Sequence, residues 1–297
     1  MIERGLDLRG PLDLVATLGP LAHGRGDRTI RLAPGESWLA FRTPDGPATL
    51  RLRLASPTRL EAAAWGPGAG LALEGAALIV GESDRPEALV PRHPILRRLA
   101  RSYPGLRLPQ SRRVFHALLP SVLEQKVTGT EAFRAYAALL RRYGEAAPGP
   151  ADLILPPSPA TLAGLPYHAF HPLGVERRRA DVIRNAASRA AWLDASRSAA
   201  EATARLRSLP GIGAWTAAEV VRCAFGDPDA VSVGDFHVPN TVAWALAGEP
   251  RADDARMLEL LEPYRGQRGR VQRLLEVGGI TAPRFGSRMS PRSIAAI

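Results

Sequence analysis

Residues 208–217, Ser208-Leu209-Pro210-Gly211-Ile212-Gly213-Ala214-Trp215-Thr216-Ala217 (SLPGIGAWTA), combine one proline, two glycines and no charge in a chain of net charge +10. Helical patterns flank this stretch. Ser198-x-x-Glu201 has the form of a capping box and opens "AAEATARLRS"; "AWTAAEVVRCAFG" follows and stops at Gly226. Helix, Gly-x-Gly turn, helix predicts a compact hairpin. Glycine tolerates positive φ and lets another backbone come close. The first amides of the second helix have no intrahelical partners and lie at the positive end of its dipole. A phosphate fits there, held by backbone donors, which accounts for a turn without charged side chains. Such contacts position a strand and carry no base preference. For a lone Gly-x-Gly the plain alternative is a helix–helix corner with a glycine cap.

The 297 residues suffice for two domains, and 45% apolar composition allows proper cores. No run of about 18 apolar residues is present, so no transmembrane helix and no membrane partner are expected. The opening "MIERGLDLRG" lacks an apolar signal core, and a cytoplasmic, nucleoid-associated location is expected. The single cysteine, Cys223, excludes an internal disulfide and a cysteine-ligated iron–sulfur cluster, and reads as a buried small hydrophobe. Lys126 is the only lysine, so the positive charge is almost all arginine. Such an excess points to a polyanion, nucleic acid first and a membrane surface second, unless it reflects genomic base composition. Two clusters stand out: seven arginines and no acid across residues 88–123, and "RGQRGRVQR" at 265–273. "RRR" at 177–179 reads as a solvated helix face. The histidines show no metal spacing; His237 reads as a surface or capping residue beside a candidate site.

Residues 1–88 read as a small α+β domain. "TIRL", "SWLAFRT", "ATLRLRL" and "RLEAAAW" are short, partly alternating runs separated by Gly/Pro turns, the pattern of an antiparallel sheet. "PLDLVATL" and "GAGLALEGAALI" read as short helices packed on it, and "SDRPEALVPRHP" as the linker. Residues 89–286 read as helical, and 287–297 as a basic C-terminal tail. "PILRRLARSY" makes one helix; "SRRVFHALLPSVLEQ" makes another, which Pro120 should kink or split. Thr128-x-x-Glu131 is a capping box opening a helix that stops at Gly144. "AAPGPADLILPPSPATLAGLP" reads as a turn-rich connection with one short helix, and "GVERRRADVIRNAASRAAWL" as one further helix. In "VSVGDFHVPNTVAWALAG", Asp235 precedes a helix with Pro239 in its first turn, so N-cap is its plain reading. A carboxylate fixed between apolar Val233 and Phe236 also suits stabilisation of developing positive charge.

Together, "LPGIGAWTA" and the aspartate of "VGDFHV" resemble the helix-hairpin-helix DNA glycosylases, and within them the 3-methyladenine DNA glycosylase II type. The resemblance extends to "HPILRRLARSYPGLRLPQSRRVFHALLPSVLEQKVT" and, more faintly, to the N-terminal segment. It implies a mainly α fold: a two-lobed helical core with an N-terminal antiparallel-sheet domain. It implies hydrolysis of the N-glycosidic bond of an alkylated, 3-methyladenine-like base in double-stranded DNA by a monomer without a required cofactor. Asp235 is implied as the catalytic carboxylate, and Trp215 and Phe236 as borders of the base pocket. Leu209, Gly211, Ile212, Gly213 and Thr216 are implied at the DNA, with Gln125 and Lys126 at the gap a flipped base leaves. The carbonyls of Arg207, Leu209 and Ile212 are implied holders of a monovalent cation. Where strand-cutting members carry a Schiff-base lysine, this chain has Trp215, so no abasic-site cleavage is expected. Lys126 departs from the apolar wedge of some members, and "EPYRGQRGRVQRLLEVGG" is less aromatic than its family counterpart. A non-catalytic damage-binding protein of the same fold and a glycosylase for uracil or hypoxanthine are the alternatives.

Overall fold

The computed structural model describes residues 1–283; the expected basic tail at 287–297 and residues 284–286 of the expected helical region lie outside the described residues. Five antiparallel strands form the N-terminal sheet: β1 (Ile2–Asp7), β2 (Ile30–Ala33), β3 (Glu36–Thr43), β4 (Gly46–Ser56) and β5 (Arg59–Trp65). Their spatial order is β1-β5-β4-β3-β2. The alternation seen in the sequence does its expected work. Leu39, Phe41, Leu50, Leu52, Leu60 and Ala62 share a core with α1 (Leu14–Leu18), α2 (Ala69–Glu74) and α3 (Ala76–Ile79). On the opposite face Trp38 and Trp65 stack at 5.2 Å, under a cover that includes Ala151 and Leu153.

The remaining helices are α4 (Pro94–Ser102), α5 (Val114–Leu123), α6 (Gly129–Tyr143), α7 (Pro159–Gly164), α8 (Tyr167–Phe170), α9 (Arg177–Ala187), α10 (Ala190–Asp194), α11 (Ala199–Arg207), α12 (Ala214–Phe225), α13 (Val238–Ala247), α14 (Asp254–Leu261) and α15 (Arg268–Val277). A short ladder, β6 (Glu145–Ala146) with β7 (Ile154–Leu155), interrupts them. They bury two separate cores. One joins α5, α6 and α9 to α12, with Tyr136 and Phe170 fully enclosed. The other joins α4 to α13, α14 and α15 around Leu96, Val242, Met257 and Val271. This is the two-lobed helical architecture preceded by an antiparallel sheet. Residues 226–237 cross from one lobe to the other.

The structure corrects several expectations. Ile2–Asp7 is a further strand beyond the four runs expected; it is an edge strand with nearly every residue exposed, so no buried periodicity marks it. Pro120 does not split α5, which runs through it. The single helix expected over residues 174–193 is two, α9 and α10: Ser188 caps α9, and its hydroxyl donates to the Asn185 carbonyl at 2.8 Å. Within "RRR" at 177–179, Arg179 is buried rather than solvated, and it donates to the Leu123 carbonyl at the end of α5 at 2.7 Å. The linker is anchored. Asp84 accepts the Leu108 amide at 2.9 Å and forms a buried ion pair with Arg270 of α15.

Candidate active site at the helical hairpin

The hairpin is built as its sequence predicts. Ser198 accepts the Glu201 amide at 3.2 Å and starts α11. The Glu201 carboxylate returns to the Arg197 amide rather than to that of Ser198, so only half of a capping box forms. Leu209 and Ile212 are buried in the lobe core, and the Ile212 amide donates to the Leu209 carbonyl at 3.2 Å, which closes the turn.

The two glycines do different things. Gly211 has φ +86°, and a Cβ there would meet Val182 Cγ2 at 2.3 Å. It is therefore required by backbone conformation and by packing on α9. Gly213 is extended, with φ −94° and ψ −174°, and a Cβ there would meet nothing within 4 Å. The open side of the turn thus lies at Gly213. The amides of Gly213, Ala214 and Trp215 have no hydrogen-bond partner among the described residues. They are the orphan donors of the α12 N-terminus.

Asp235 lies beside this turn. Its Oδ2 accepts the Trp215 indole N–H at 2.9 Å, and Trp215 stands in the first turn of α12. Its Oδ1 accepts the amides of His237 at 2.7 Å and Val238 at 2.9 Å, at the start of α13. Three donors therefore fix one carboxylate. Both oxygens of Asp254 accept the Gly234 amide at 3.0 Å, so α14 holds the residue before Asp235 as well. Phe236 is 83% exposed and meets His237 edge to face.

Within the same lobe, just past the end of α5, the Gln125 side-chain amide donates to the Gly211 carbonyl at 3.1 Å and to Thr216 Oγ1 at 2.9 Å. Lys126 follows, exposed, with a left-handed φ of +56°.

A polar network supports the loop that carries Asp235. Glu219 and Arg222 of α12 pair at 3.0 Å, Ser232 donates to Glu219, and Arg222 donates to Glu276 of α15 at 2.9 Å. Gln272 accepts the Ser232 amide at 3.1 Å and donates to Ser232 Oγ at 2.8 Å. Burial pushes the Glu219 carboxyl up, Arg222 opposes that shift, and Glu276 adds to it. Burial is also the chief cause that raises the Cys223 thiol to about 12 and lowers the neighbouring His116 to about 3.

No family model matches the chain. Over 157 residues, 51% of its length, the chain is 30% identical to the "Probable bifunctional transcriptional activator/DNA repair enzyme AlkA" of Mycobacterium tuberculosis. Over 126 residues, 41% of its length, it is 31% identical to DNA-3-methyladenine glycosylase 2 of Escherichia coli. These matches span 32% and 45% of those proteins' own lengths. The fold superposes on the 3-methyladenine DNA-glycosylase of Archaeoglobus fulgidus with a TM-score of 0.77 at 17% identity, covering 92% of this chain and 97% of that one. It superposes on MBOgg1, solved with a low-affinity DNA ligand, with a TM-score of 0.70 at 14% identity, covering 94% and 97%. The chain has the fold of these DNA glycosylases.

Within this fold, the structure brings Leu209, Gly211, Ile212, Gly213, Trp215, Thr216, Gln125 and Asp235 together through the contacts above. Lys126 and Phe236 sit at its exposed edges. The two arginine clusters differ: in the first, Arg92, Arg97, Arg98 and Arg101 are exposed and form no ion pair among the described residues, while two others are engaged. Arg107 pairs with Glu82, and Arg113 is seated over Phe41 at 3.6 Å. In the second cluster Arg265 pairs with Glu262, Arg268 with Asp229, Arg270 with Asp84 and Arg273 with Glu276. That cluster holds the fold together. Sequence reasoning passed over Asp254 and Glu219. For Glu219 the signal was its spacing, four residues after Trp215 and hence on the same helix face.

Proposed function

We propose that the protein is a monofunctional DNA glycosylase of base excision repair, acting on alkylated bases in double-stranded DNA. The observation that carries this reading is the bond between Asp235 and Trp215. It joins a fixed carboxylate to the first turn of the helix whose free amides face the open side of the hairpin. A phosphate gripped at Gly213 and Ala214 brings the adjoining sugar toward Asp235. The target base leaves the stack at a cost of a few kcal/mol, which is less for a damaged pair. Trp215 offers a ring for it to stack on, and Gln125 and Lys126 stand where the vacated space opens. An alkylated purine carries positive charge and departs readily. The sugar then gains oxocarbenium character, which the Asp235 carboxylate stabilises and to which it directs water.

The chain acts as a monomer in this reading. The carbonyls of Arg207, Leu209 and Ile212 fit the implied monovalent cation: they are neutral oxygens, and those of Arg207 and Ile212 accept no hydrogen bond among the described residues. A cation held there adds positive charge beside the phosphate. Tryptophan, not an amine, stands at the Schiff-base position 215, so in this reading the product is an intact strand with an abasic site. The test is incubation with methylated genomic DNA and mass spectrometry of the released bases, alongside a nicking and borohydride-trapping assay on abasic DNA. Release of 3-methyladenine without nicking is expected. Tight binding to abasic DNA without release of any base would favour a damage-binding protein instead.

A further inference from the structure

A groove with a cavity of about 160 Å³ lies between the N-terminal sheet and the α5–α12 face, lined among others by Glu124, Glu219, Cys223, His116, His23 and Phe133. Its wall continues the helix face that begins at Trp215. Residues 215, 219 and 223 recur at i, i+4 and i+8, so Glu219 lies one turn, about 6 Å, along the axis from the tryptophan that holds Asp235.

The polar groups on this wall are unequally satisfied. Arg113 is engaged with the carbonyls of Ser111 at 2.6 Å and Arg42 at 3.3 Å. The Cys223 thiol donates to the Pro20 carbonyl at 3.5 Å. Both partners of Glu219, Arg222 and Ser232, bond the same oxygen, Oε1. Glu219 Oε2 accepts no hydrogen bond among the described residues, nor is it among the enclosed atoms without one, so it stays open to the groove. The Glu124 carboxylate accepts no hydrogen bond among the described residues, and His23 Nδ1 lies 3.6 Å from its Oε1. The groove therefore presents unpaired carboxylate oxygens on Glu219 and Glu124, while the Arg113 guanidinium is held by two carbonyls and lies over the Phe41 ring.

We propose that Glu219 and Glu124 determine specificity: their unpaired carboxylate oxygens select an extruded base that carries positive charge and exocyclic amino hydrogens, such as an alkylated adenine, and reject oxo-bases such as uracil and hypoxanthine. This rests on the reading that the groove below Trp215 receives the base. An amino group or a cationic ring gives each carboxylate a donor. A ring carbonyl sets lone pair against lone pair and leaves both groups unpaired in a partly dehydrated site.

The experiment measures single-turnover release of 3-methyladenine from methylated DNA, and of hypoxanthine and uracil from matched duplexes, by the wild-type chain, Glu219→Gln and Glu124→Gln. Binding of free 3-methyladenine and free hypoxanthine to the same proteins is followed by calorimetry. Wild type should prefer 3-methyladenine in both measurements. Each glutamine variant should lose about tenfold of that preference, with affinity for duplex DNA carrying a tetrahydrofuran abasic analogue unchanged. Should Glu219→Gln fail to fold because Arg222 loses its partner, Glu124→Gln carries the test, since Glu124 makes no hydrogen bond that folding needs. Variants that keep the wild-type preference overturn the proposal. If wild type releases no base, the enzymatic reading fails. The free-base measurement then still decides the pocket: retained, carboxylate-dependent preference upholds it, and equal binding of the two bases sinks it.

Discussion

Replacing Asp235 by asparagine separates charge from shape at the point where the two lobes meet. The carboxylate accepts three donors, two amides on Oδ1 and the Trp215 indole on Oδ2. Asparagine keeps an oxygen for the two amides, so the start of α13 stays capped. Its NH2 group then faces the Trp215 N–H, donor against donor. One half-buried pair is lost and two donors are left facing each other, which costs about 1–3 kcal/mol of folding stability. The chemical step loses the negative charge opposite the developing cation, an effect on the order of 3–4 kcal/mol, or about 10²–10³ in rate. Trp215→Phe distinguishes these contributions. It removes the opposing donor, so the double variant should be less destabilised than the sum of the singles, with a coupling of about 0.5–3 kcal/mol. Base release should not recover. Urea denaturation gives the stabilities, and single-turnover release from methylated DNA gives the rates. Asp235→Asn with release within a few-fold of wild type would refute a catalytic Asp235. Strictly additive stabilities would refute the donor–donor account.

Four further outcomes are expected. Gly211→Ala should destabilise by about 1–3 kcal/mol, because φ is +86° and Val182 occupies the space, whereas Gly213→Ala should fold normally and bind abasic DNA more weakly; equal DNA affinity for Gly213→Ala would move the phosphate elsewhere. Lys126→Gln should reduce the slope of log K against log salt by about 0.9, while Arg265→Gln and Arg268→Gln, whose charges are already paired, should leave it in place. Asp84→Ala should cost about 3–5 kcal/mol in chemical denaturation by stranding the buried Arg270 charge. Asp229 should contribute to acid sensitivity: burial alone raises its carboxyl, yet Arg268 and the amides of Arg268 and Gly266 pull it below the usual aspartate range. A folded-state value below the unfolded one gives stability that is present above about pH 3.9 and lost as pH falls below it; Asp229→Asn should flatten the acid limb of a stability-against-pH curve.

Local signals carried much of this fold. The hairpin, the Thr128 capping box and the alternating strands each combine turn chemistry with periodicity inside a short window, and each formed where expected. What escaped depends on partners far along the chain. β1 is exposed on both faces and is defined only by pairing with β5, some 60 residues away. The second arginine cluster is internal bracing, which charge counts miss because they ignore pairing: Arg270 meets Asp84, and Arg273 reaches the Ala16 carbonyl at 2.7 Å. Around the candidate site, Asp235 was legible from its place before a helix. The indole that holds it, the Gly234 anchor on α14 and the different duties of the two glycines needed coordinates, because each is a contact between segments with no fixed spacing.

One amide side chain deserves its mechanical reading. Gln125 is tied to the Gly211 carbonyl and the Thr216 hydroxyl at once, so the tip that bears Lys126 and the glycine turn are clamped to each other. The jaw has its span set before anything enters it. On the proposed reading, a duplex docking there would meet a template of constant width, and the bending and unstacking would fall to the nucleic acid, making the softness of a lesion-bearing step part of how it is found.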